Sequence, residues 1–274
     1  MATELVILVD NRAVTPDLVT EHGLAVLIRG PGGKVLFDAG LTAHALLRNA
    51  EVLGVEVSSI DAAVVSHGHY DHTGGLAAVA ERRRGLKLYA HPGVFARRWA
   101  EKPGQTLRDV SCPHSLARLI RAGATFCPTE APQMVEGWLL LSGPIGGPKG
   151  AEEDFIIRKG DQMLIDGFED EMFCMVRGKS GWAVITGCCH RGLKNTLRSA
   201  KFLAHDEPIA AIVGGLHLRS TPQAGMQGIV ELLKAFGEPA VHACHCTGDA
   251  AAAYLAERLP GKVHPVGAGS RIEV

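Results

Sequence analysis

The stretch Val64-Val65-Ser66-His67-Gly68-His69-Tyr70-Asp71-His72-Thr73-Gly74-Gly75 places three histidines and one aspartate within six residues. It directly follows a predicted strand, Ala62–Val65, and leads into a predicted helix, Gly74–Arg84. Because a strand end is rigid, the first two histidines can turn to one side while the aspartate and the third histidine face another. Imidazole and carboxylate groups suit Zn²⁺, Fe and Mn²⁺. The pattern therefore predicts a metal site.

Composition and charge exclude several classes of protein. The 274 residues are 46% apolar, and 28 Lys+Arg against 29 Asp+Glu give a net charge of −1, which is typical of a globular chain. A near-neutral balance argues against nucleic-acid or anionic-membrane partners. No apolar run approaches the ~20 residues that span a bilayer, and residues 1–10 lack the basic start and apolar core of a signal peptide. We expect a cytoplasmic protein with a small-molecule substrate, and a homodimer stays an open option.

The periodicity of apolar residues predicts the fold class. Short runs rich in Val, Ile and Leu are typical of strands: Leu5–Val9, Leu24–Ile28, Lys34–Phe37, Ala62–Val65, Leu86–Tyr89, Trp138–Leu141, Phe173–Val176, Trp182–Ile185, Ile209–Val213 and Ala240–Ala243. Helix-like stretches separate them: Ala43–Leu53, Gly74–Arg84, Ser115–Ala122, Leu193–Leu203, Gln223–Phe236 and Asp249–Leu259. This order favours an α/β protein in which two sheets pack together with helices outside.

The chain shows no linker, so we predict a single domain over residues 1–274. The stretch from residue 92 to 133 fits the alternation least, because five prolines interrupt it. We expect a helical excursion there, which is either a lid or oligomer surface or an ordinary peripheral helical pair.

Seven cysteines, an odd number, make a disulfide framework improbable. Cys188, Cys189, Cys244 and Cys246 each lie within two residues of His190 or His245. His190 follows the predicted strand Trp182–Ile185, and His245 follows Ala240–Ala243. Since the loop after residue 65 cannot enclose two metals alone, these histidines are candidates for the missing donors. Three such loops, each followed by a helix, converge at one edge of a sheet sandwich.

The motif His67-x-His69-x-Asp71-His72 resembles the signature of the metallo-β-lactamase fold. Further segments resemble the subgroup named for 7,8-dihydropterin-6-yl-methyl-4-(β-D-ribofuranosyl)aminobenzene 5′-phosphate synthase. The segments that carry this resemblance are residues 36–40, 66–76, 187–190, 214–218 and 245–248. Asp10-Asn11 and Glu21–Leu24 also fit the subgroup. The resemblance covers residues 5 to 250.

This resemblance implies a four-layer αββα sandwich with a dinuclear metal site at one edge. The implied ligands of the first metal are His67, His69 and His190, and those of the second are Asp71, His72 and His245. Asp38 matches the early aspartate that usually supports the site from behind the ligands, although it can also simply cap the turn before Gly40. The implied cofactors are two divalent ions, with Zn²⁺ ranked ahead of Fe and Mn²⁺.

The sequence departs from most of the superfamily at Cys188, which stands where a bridging aspartate is usual. Cys188 either bridges the metals as a thiolate or packs, whereas we expect Cys189 and Cys246 to pack. His217 follows Gly214-Gly215 at a strand end, and either acts in the pocket or is structural.

His22, together with Glu21, either lines the same pocket or lies outside it, and the sequence leaves both alternatives. The histidines without such context are expected to be structural or at the surface, and these are His44, His91, His114, His205, His242 and His264.

The resemblance implies a dinuclear-metal hydrolase that uses a metal-bound hydroxide on a small phosphorylated or ester-type substrate. Asp71, as ligand and proton acceptor, and His217 are the catalytic candidates. The subgroup name implies an alternative, a transferase that joins a dihydropterin diphosphate to a ribofuranosylaminobenzene phosphate with loss of pyrophosphate. A second alternative is a metal-binding protein without catalytic activity.

Overall fold

The computed structural model describes residues 3–101, 104–148 and 154–274. Within these ranges the strands are β1 (Glu4–Val9), β2 (Ala25–Gly30), β3 (Gly33–Phe37), β4 (Ala62–Val64), β5 (Leu86–Ala90), β6 (Arg98–Ala100), β7 (Arg108–Asp109), β8 (Ala124–Pro128), β9 (Gln133–Val135), β10 (Leu139–Leu141), β11 (Phe155–Lys159), β12 (Gln162–Ile165), β13 (Cys174–Arg177), β14 (Trp182–Thr186), β15 (Ile209–Gly214), β16 (Ala240–Ala243), β17 (Val263–Pro265) and β18 (Arg271–Glu273). The α-helices are α1 (Ala43–Val52), α2 (Tyr70–Thr73), α3 (Leu76–Arg82), α4 (Leu116–Ala122), α5 (Leu193–Leu203), α6 (Gln223–Ala235) and α7 (Asp249–Arg258).

Two seven-stranded sheets form the centre of the fold. Their strand orders are β18-β1-β2-β3-β4-β5-β8 and β17-β16-β15-β14-β13-β10-β9. Each sheet is antiparallel on one side and parallel on the other, and the parallel runs are β3-β4-β5-β8 and β14-β15-β16-β17. Because parallel strands end at the same edge of a sheet, the loops that follow β4, β14, β15 and β16 are placed for a shared site.

Three apolar clusters define four layers. One lies between the sheets and joins side chains such as Phe37 of the first sheet and Ile185 of the second. Another packs α1, α3 and α4 on the outer face of the first sheet, and a third packs α5, α6 and α7 on the second. Strand residues alternate between inner and outer clusters, as the period of a β-strand dictates. The expected αββα sandwich is confirmed.

The turn at Gly74 and Gly75 docks the predicted metal loop onto the first sheet. Both glycine N–H groups donate to carbonyls of the loop after β3, to Gly40 at 2.9 Å and to Ala39 at 3.2 Å. A Cβ at Gly74 would lie 1.8 Å from the carbonyl oxygen of Leu41, so only glycine fits there. As a result, α3 begins at Leu76, two residues later than predicted, and the short helix α2 precedes it.

The expectation of a helical excursion from 92 to 133 is wrong for most of the described segment. Only Leu116–Ala122 is α-helical, with Ser115 as its N-cap and Gly123 as its left-handed C-cap. The remaining elements are the 3₁₀ helix Pro92–Phe95 and the strands β6, β7 and β8. Its prolines suit short extended pieces, because proline removes the backbone donor that a helix interior needs.

A small third sheet, ordered β12-β11-β6-β7, was not predicted. The hairpin of β11 and β12 turns at Gly160, whose φ of 61° favours glycine, and Gly160-Asp161 between two apolar runs is the signal that would have revealed it. By contrast β6 and β7 have only three and two residues, too short for a periodicity to show.

Within the described residues, no helix combines the length and the apolar character needed to cross a membrane.

Candidate metal centre

The predicted ligands lie together at one edge of the two sheets. The loop after β4 carries His67 to His72, and the loops after β14 and β16 carry His190 and His245. All six side chains of the two predicted triads are buried. Sequence positions up to 178 residues apart therefore meet because parallel strands deliver their loops to one edge.

The first predicted triad forms a compact donor cluster. The ligand atoms of His67, His69 and His190 all lie within 4.8 Å of one another. Nε2 of His67 and of His69 is buried and has no hydrogen-bond partner among the described residues. Burial lowers the pKa of all three imidazoles well below the usual histidine value, so they are neutral at neutral pH. Three buried imidazoles converging in this way are suited to a Zn²⁺-type ion.

The second predicted triad surrounds one carboxylate oxygen. Oδ2 of Asp71 lies 3.5 Å from Nε2 of His245 and 3.7 Å from Nε2 of His72. Ligand atoms bound to one tetrahedral ion at about 2.0–2.1 Å are separated by about 3.3 Å, close to these distances. Nε2 of His245 is buried without a hydrogen-bond partner among the described residues. These distances fit a second ion, and His22 is a further candidate donor, because its ligand atom lies within 4.8 Å of those of Asp71 and His245.

Asp38 lies behind the donor atoms and supports one histidine of each cluster through hydrogen bonds. Its Oδ2 accepts a hydrogen bond from Nδ1 of His72 at 2.7 Å and one from the Ser66 hydroxyl at 2.7 Å, and its Oδ1 accepts the Ser66 backbone N–H. Since the single hydroxyl hydrogen of Ser66 goes to Asp38, its oxygen accepts from Nδ1 of His67 at 2.8 Å. Both imidazoles therefore carry hydrogen on Nδ1 and direct Nε2 at the site. Asp38 also adopts a left-handed φ of 58°.

His72 differs from the other buried imidazoles in its proton affinity. Burial would lower its pKa, but the carboxylates of Asp38 and Asp71 outweigh burial and raise the pKa to about 9. Without metal, His72 therefore holds a second proton at neutral pH. Metal binding has to displace that proton.

Cys188 lies between the two clusters. Its Sγ is 3.2 Å from Nε2 of His72, and it shares donor groups with members of both predicted triads. Burial raises the pKa of the thiol well above its usual value, so the metal-free side chain is protonated. The position suits a bridging thiolate, and it also suits a buried packing residue.

The two other candidate cysteines have different surroundings. Cys189 packs in the outer core of the second sheet, as expected. Cys246, expected only to pack, lies with Cys188 and His245 in a third donor group, and its Sγ accepts the backbone N–H of His217 at 3.3 Å. The Cys-His-Cys spacing around residue 245 is the signal that could have drawn attention to it.

His217 reaches the first cluster. Its ring centroid lies 4.4 Å from that of His190, and its ligand atom groups with those of Cys188 and His190. A left-handed φ of 51° turns the chain at this point, directly after the Gly214-Gly215 strand end. The structure thus brings this predicted catalytic residue to the rim of the site.

His22 and Glu21, which precede β2, have different surroundings. Nε2 of His22 lies 3.2 Å from Oδ2 of Asp71. Glu21 instead accepts hydrogen bonds from the backbone of Leu41 and Thr42 and from the Thr42 hydroxyl, which is the N-cap of α1. His22 lines the site, whereas Glu21 supports the start of a helix.

Two phenylalanines outside the predicted set form an apolar wall beside the first cluster. The ring of Phe168 stacks on His190 with centroids 4.0 Å apart and an interplanar angle of 4°. Phe155, the first residue of β11, lies 4.9 Å from the His69 ring. The third sheet therefore covers part of the site.

A buried ion cluster connects this sheet to the metal loop. Arg98 of β6 donates from Nε to Asp166 and from Nη2 to Asp170, both at 2.7 Å. The other oxygen of Asp170 accepts the backbone N–H of Gly68 at 2.8 Å, and Gly68 stands between His67 and His69. Asp170 thus accepts hydrogen bonds from Arg98 and from Gly68 at the same time, and this holds the loop that carries two predicted ligands.

Comparisons with known proteins agree with this geometry. The family profile described as "Metallo-beta-lactamase superfamily" matches residues 19–147. An uncharacterised protein of Methanocaldococcus jannaschii is 30% identical over 88% of this chain and 90% of its own length.

A second protein of the same organism is named 7,8-dihydropterin-6-methyl-4-(beta-D-ribofuranosyl)-aminobenzene-5'-phosphate synthase. It is 24% identical over 84% of this chain and 82% of its own length. A crystal structure described as a metal-dependent hydrolase of the beta-lactamase superfamily is 29% identical, with a TM-score of 0.85 and 99% of both chains covered.

Proposed function

We propose that this chain, which belongs to the metallo-beta-lactamase superfamily, is a dinuclear-metal hydrolase of small phosphorylated or ester-type substrates. The observation that carries the proposal is the donor cluster His67/His69/His190, with Asp71 close to His72 and His245 as a second set of donors and Cys188 between the two sets. A single structural ion would not need two such sets.

Some of these residues would bind the ions, and others would contact the substrate or the attacking water. When bound, two divalent ions lower the pKa of a water toward about 7 and polarise the bond to be cleaved, and Zn²⁺ is the ion that this imidazole-rich set favours. Asp71 orients the attacking water and accepts its proton. His217, at the rim beside His190, is placed to contact the substrate. Phe155 and Phe168 exclude bulk water from the first cluster.

The substrate class follows from the surroundings of the second cluster. A cavity of about 310 Å³ borders His245, and Arg219 is among its lining residues, together with Asp10 and Asp249. Arg12 also lines the cavity, but its guanidinium already donates to Asp249 and to the carbonyls of Val266 and Ala243. Guanidinium groups bind phosphate and carboxylate oxygens well. We infer that the substrate is small and anionic, and that hydrolysis transfers water to its phosphorus or carbonyl carbon while the leaving group takes up a proton.

The transferase alternative is supported by the relative that is named a synthase and is 24% identical. The same donor clusters would then bind a diphosphate, and an organic nucleophile would replace water. The Arg219 guanidinium suits a diphosphate as well as it suits a monophosphate. The two activities differ in one measurable respect, since the transferase releases no product until a second organic substrate is added.

Metal content followed by turnover tests the proposal. Elemental mass spectrometry on protein purified without added metal or a chelating tag is expected to find close to two ions per chain. The loaded protein should then hydrolyse a simple phosphoester or thioester in ¹⁸O-water and incorporate one ¹⁸O into the acid product. Turnover only with an aminobenzene-type acceptor would favour the transferase. Absence of metal even after reconstitution would favour a protein without catalytic activity.

A further inference from the structure

Asn11 lies between two histidines of the second cluster. Its Oδ1 is 2.9 Å from Nδ1 of His245, and its Nδ2 is 3.3 Å from Nδ1 of His22. The two imidazole rings stack with centroids 5.0 Å apart and an interplanar angle of 26°. The Asn11 amide therefore contacts Nδ1 of both histidines, with its oxygen at His245 and its nitrogen at His22.

The two ends of the amide impose opposite tautomers. An amide oxygen only accepts hydrogen bonds and an amide nitrogen only donates them. For His245 to offer its Nε2 lone pair to a metal, its hydrogen must be on Nδ1, and Asn11 Oδ1 is the acceptor for it. The amide nitrogen then faces His22, whose Nδ1 must accept. Neutral His22 consequently carries its hydrogen on Nε2, which makes it a poor metal ligand.

That Nε2–H group faces Asp71. Of the three Nε2 atoms within 3.7 Å of Asp71 Oδ2, those of His72 and His245 belong to the predicted ligands, while that of His22 is the nearest at 3.2 Å. The His22 side chain is 45% exposed, whereas the other two imidazoles are fully buried. His22 thus approaches the carboxylate from the solvent side, with its ring stacked on that of the buried donor His245.

We propose that His22 is a positioning residue for Asp71. Its Nε2–H holds Oδ2 of the carboxylate in place for the second ion, and Asn11 enforces this role by selecting the tautomer. The inference rests on the metal centre proposed above, but it concerns the hydrogen-bonding state of His22, which exists with or without substrate.

Two variants separate a hydrogen-bond donor from a ligand. Chelator competition on the full chain with Zn²⁺ alone is expected to show the second ion bound 10-fold or more weakly in His22→Ala, the usual loss for a partner of a ligand. In His22→Gln the amide N–H replaces Nε2–H, and affinity should return to within about threefold of wild type, since a glutamine amide is a weak Zn²⁺ ligand. The exposed His44 of α1 provides a control, and His44→Ala should leave both affinities unchanged.

The tautomers themselves can be observed by ¹⁵N NMR of the imidazole nitrogens, assigned with the His22→Ala and His245→Ala variants. We expect hydrogen on Nε2 of His22 and on Nδ1 of His245 in the metal-free protein, and an unchanged His22 after Zn²⁺ is added. Hydrogen on Nδ1 of His22, a Zn²⁺-induced shift of its Nε2, or a His22→Gln variant as weak as His22→Ala would overturn the proposal. If wild type binds no second ion, the proposed function fails, while the metal-free tautomers still decide the role of His22.

Discussion

Oδ2 of Asp38 lies 2.7 Å from Nδ1 of His72, and both side chains are completely shielded from solvent. Through Ser66 the same carboxylate also orients His67, so one residue behind the site supports a predicted ligand in each cluster. This relationship predicts that the two proposed ions would depend on a shared support.

Replacing Asp38 should weaken both ions together. Asn has nearly the same shape and tolerates the left-handed backbone at this position, but its amide cannot accept from Ser66 and His72 as a carboxylate does. We expect Asp38→Asn to bind Zn²⁺ about 10- to 100-fold more weakly at both sites, measured by chelator competition. The exposed Asp17→Asn is the matched control. A loss confined to one site would show that Asp38 serves only one cluster.

Replacing one predicted ligand from each triad should remove separate ions. We expect His67→Ala to lose the first ion and His245→Ala to lose the second, because each removes one of three buried donors. Elemental mass spectrometry should find about one ion per chain in each variant, where two are expected in wild type. If both variants retained full metal content, the ligand assignment would be wrong.

Breaking the buried ion cluster of the third sheet should destabilise the fold. Arg98→Met leaves Asp166 and Asp170 as buried carboxylates without their partner, and removal of one member of such a cluster costs about 3–5 kcal/mol. Urea unfolding followed by circular dichroism measures the change in the free energy of unfolding.

The adjacent residue offers a matched comparison for this prediction. Arg97 pairs with Asp109 at the surface, where both side chains are largely exposed, so Arg97→Met should cost less than about 1 kcal/mol. Equal losses in the two variants would contradict the importance assigned to the buried cluster.

Stability should also depend on pH through a histidine away from the site. Burial, together with the imidazole of His264 at a centroid distance of 5.2 Å, lowers the pKa of His242 to about 4. An unfolded histidine titrates near a pKa of about 6.5, so from there down to about 4 the unfolded chain binds a proton that the folded chain does not. The free energy of unfolding contributed by this group is fully present above pH 6.5 and falls as the pH falls.

His242→Gln should reduce this acid sensitivity. Allowing for solvent screening, the decrease in the free energy of unfolding between pH 7 and pH 4.5 should be smaller by about 1–2 kcal/mol in the variant. Urea titrations at the two pH values measure it, with His44→Gln as the control. An unchanged decrease would mean that His242 titrates normally in the folded protein.

The strand and helix pattern and the predicted donors were accessible from the sequence because both are local. Short apolar runs rich in Val, Ile and Leu identified most of the central strands, and α5 has the bounds that were predicted, Leu193–Leu203. The six predicted ligands stand in short motifs at strand ends. Residue type and spacing indicated a metal site there, and the division into two triads is what the resemblance to the metallo-β-lactamase signature implies. Knowing that parallel strands end at one edge was enough to expect these loops to meet.

The sequence by itself thus determined the sandwich class and the candidate donors, whereas the tertiary structure decided what surrounds and orients them. Asn11 and His245 are 234 residues apart, and Arg98 and Asp170 are 72 apart. Their contacts leave no periodicity or spacing in the chain. The tautomers, the apolar wall of Phe155 and Phe168, and the support from Asp38 depend on distances and directions of a few ångströms, which only the packing of the two sheets and the third sheet sets.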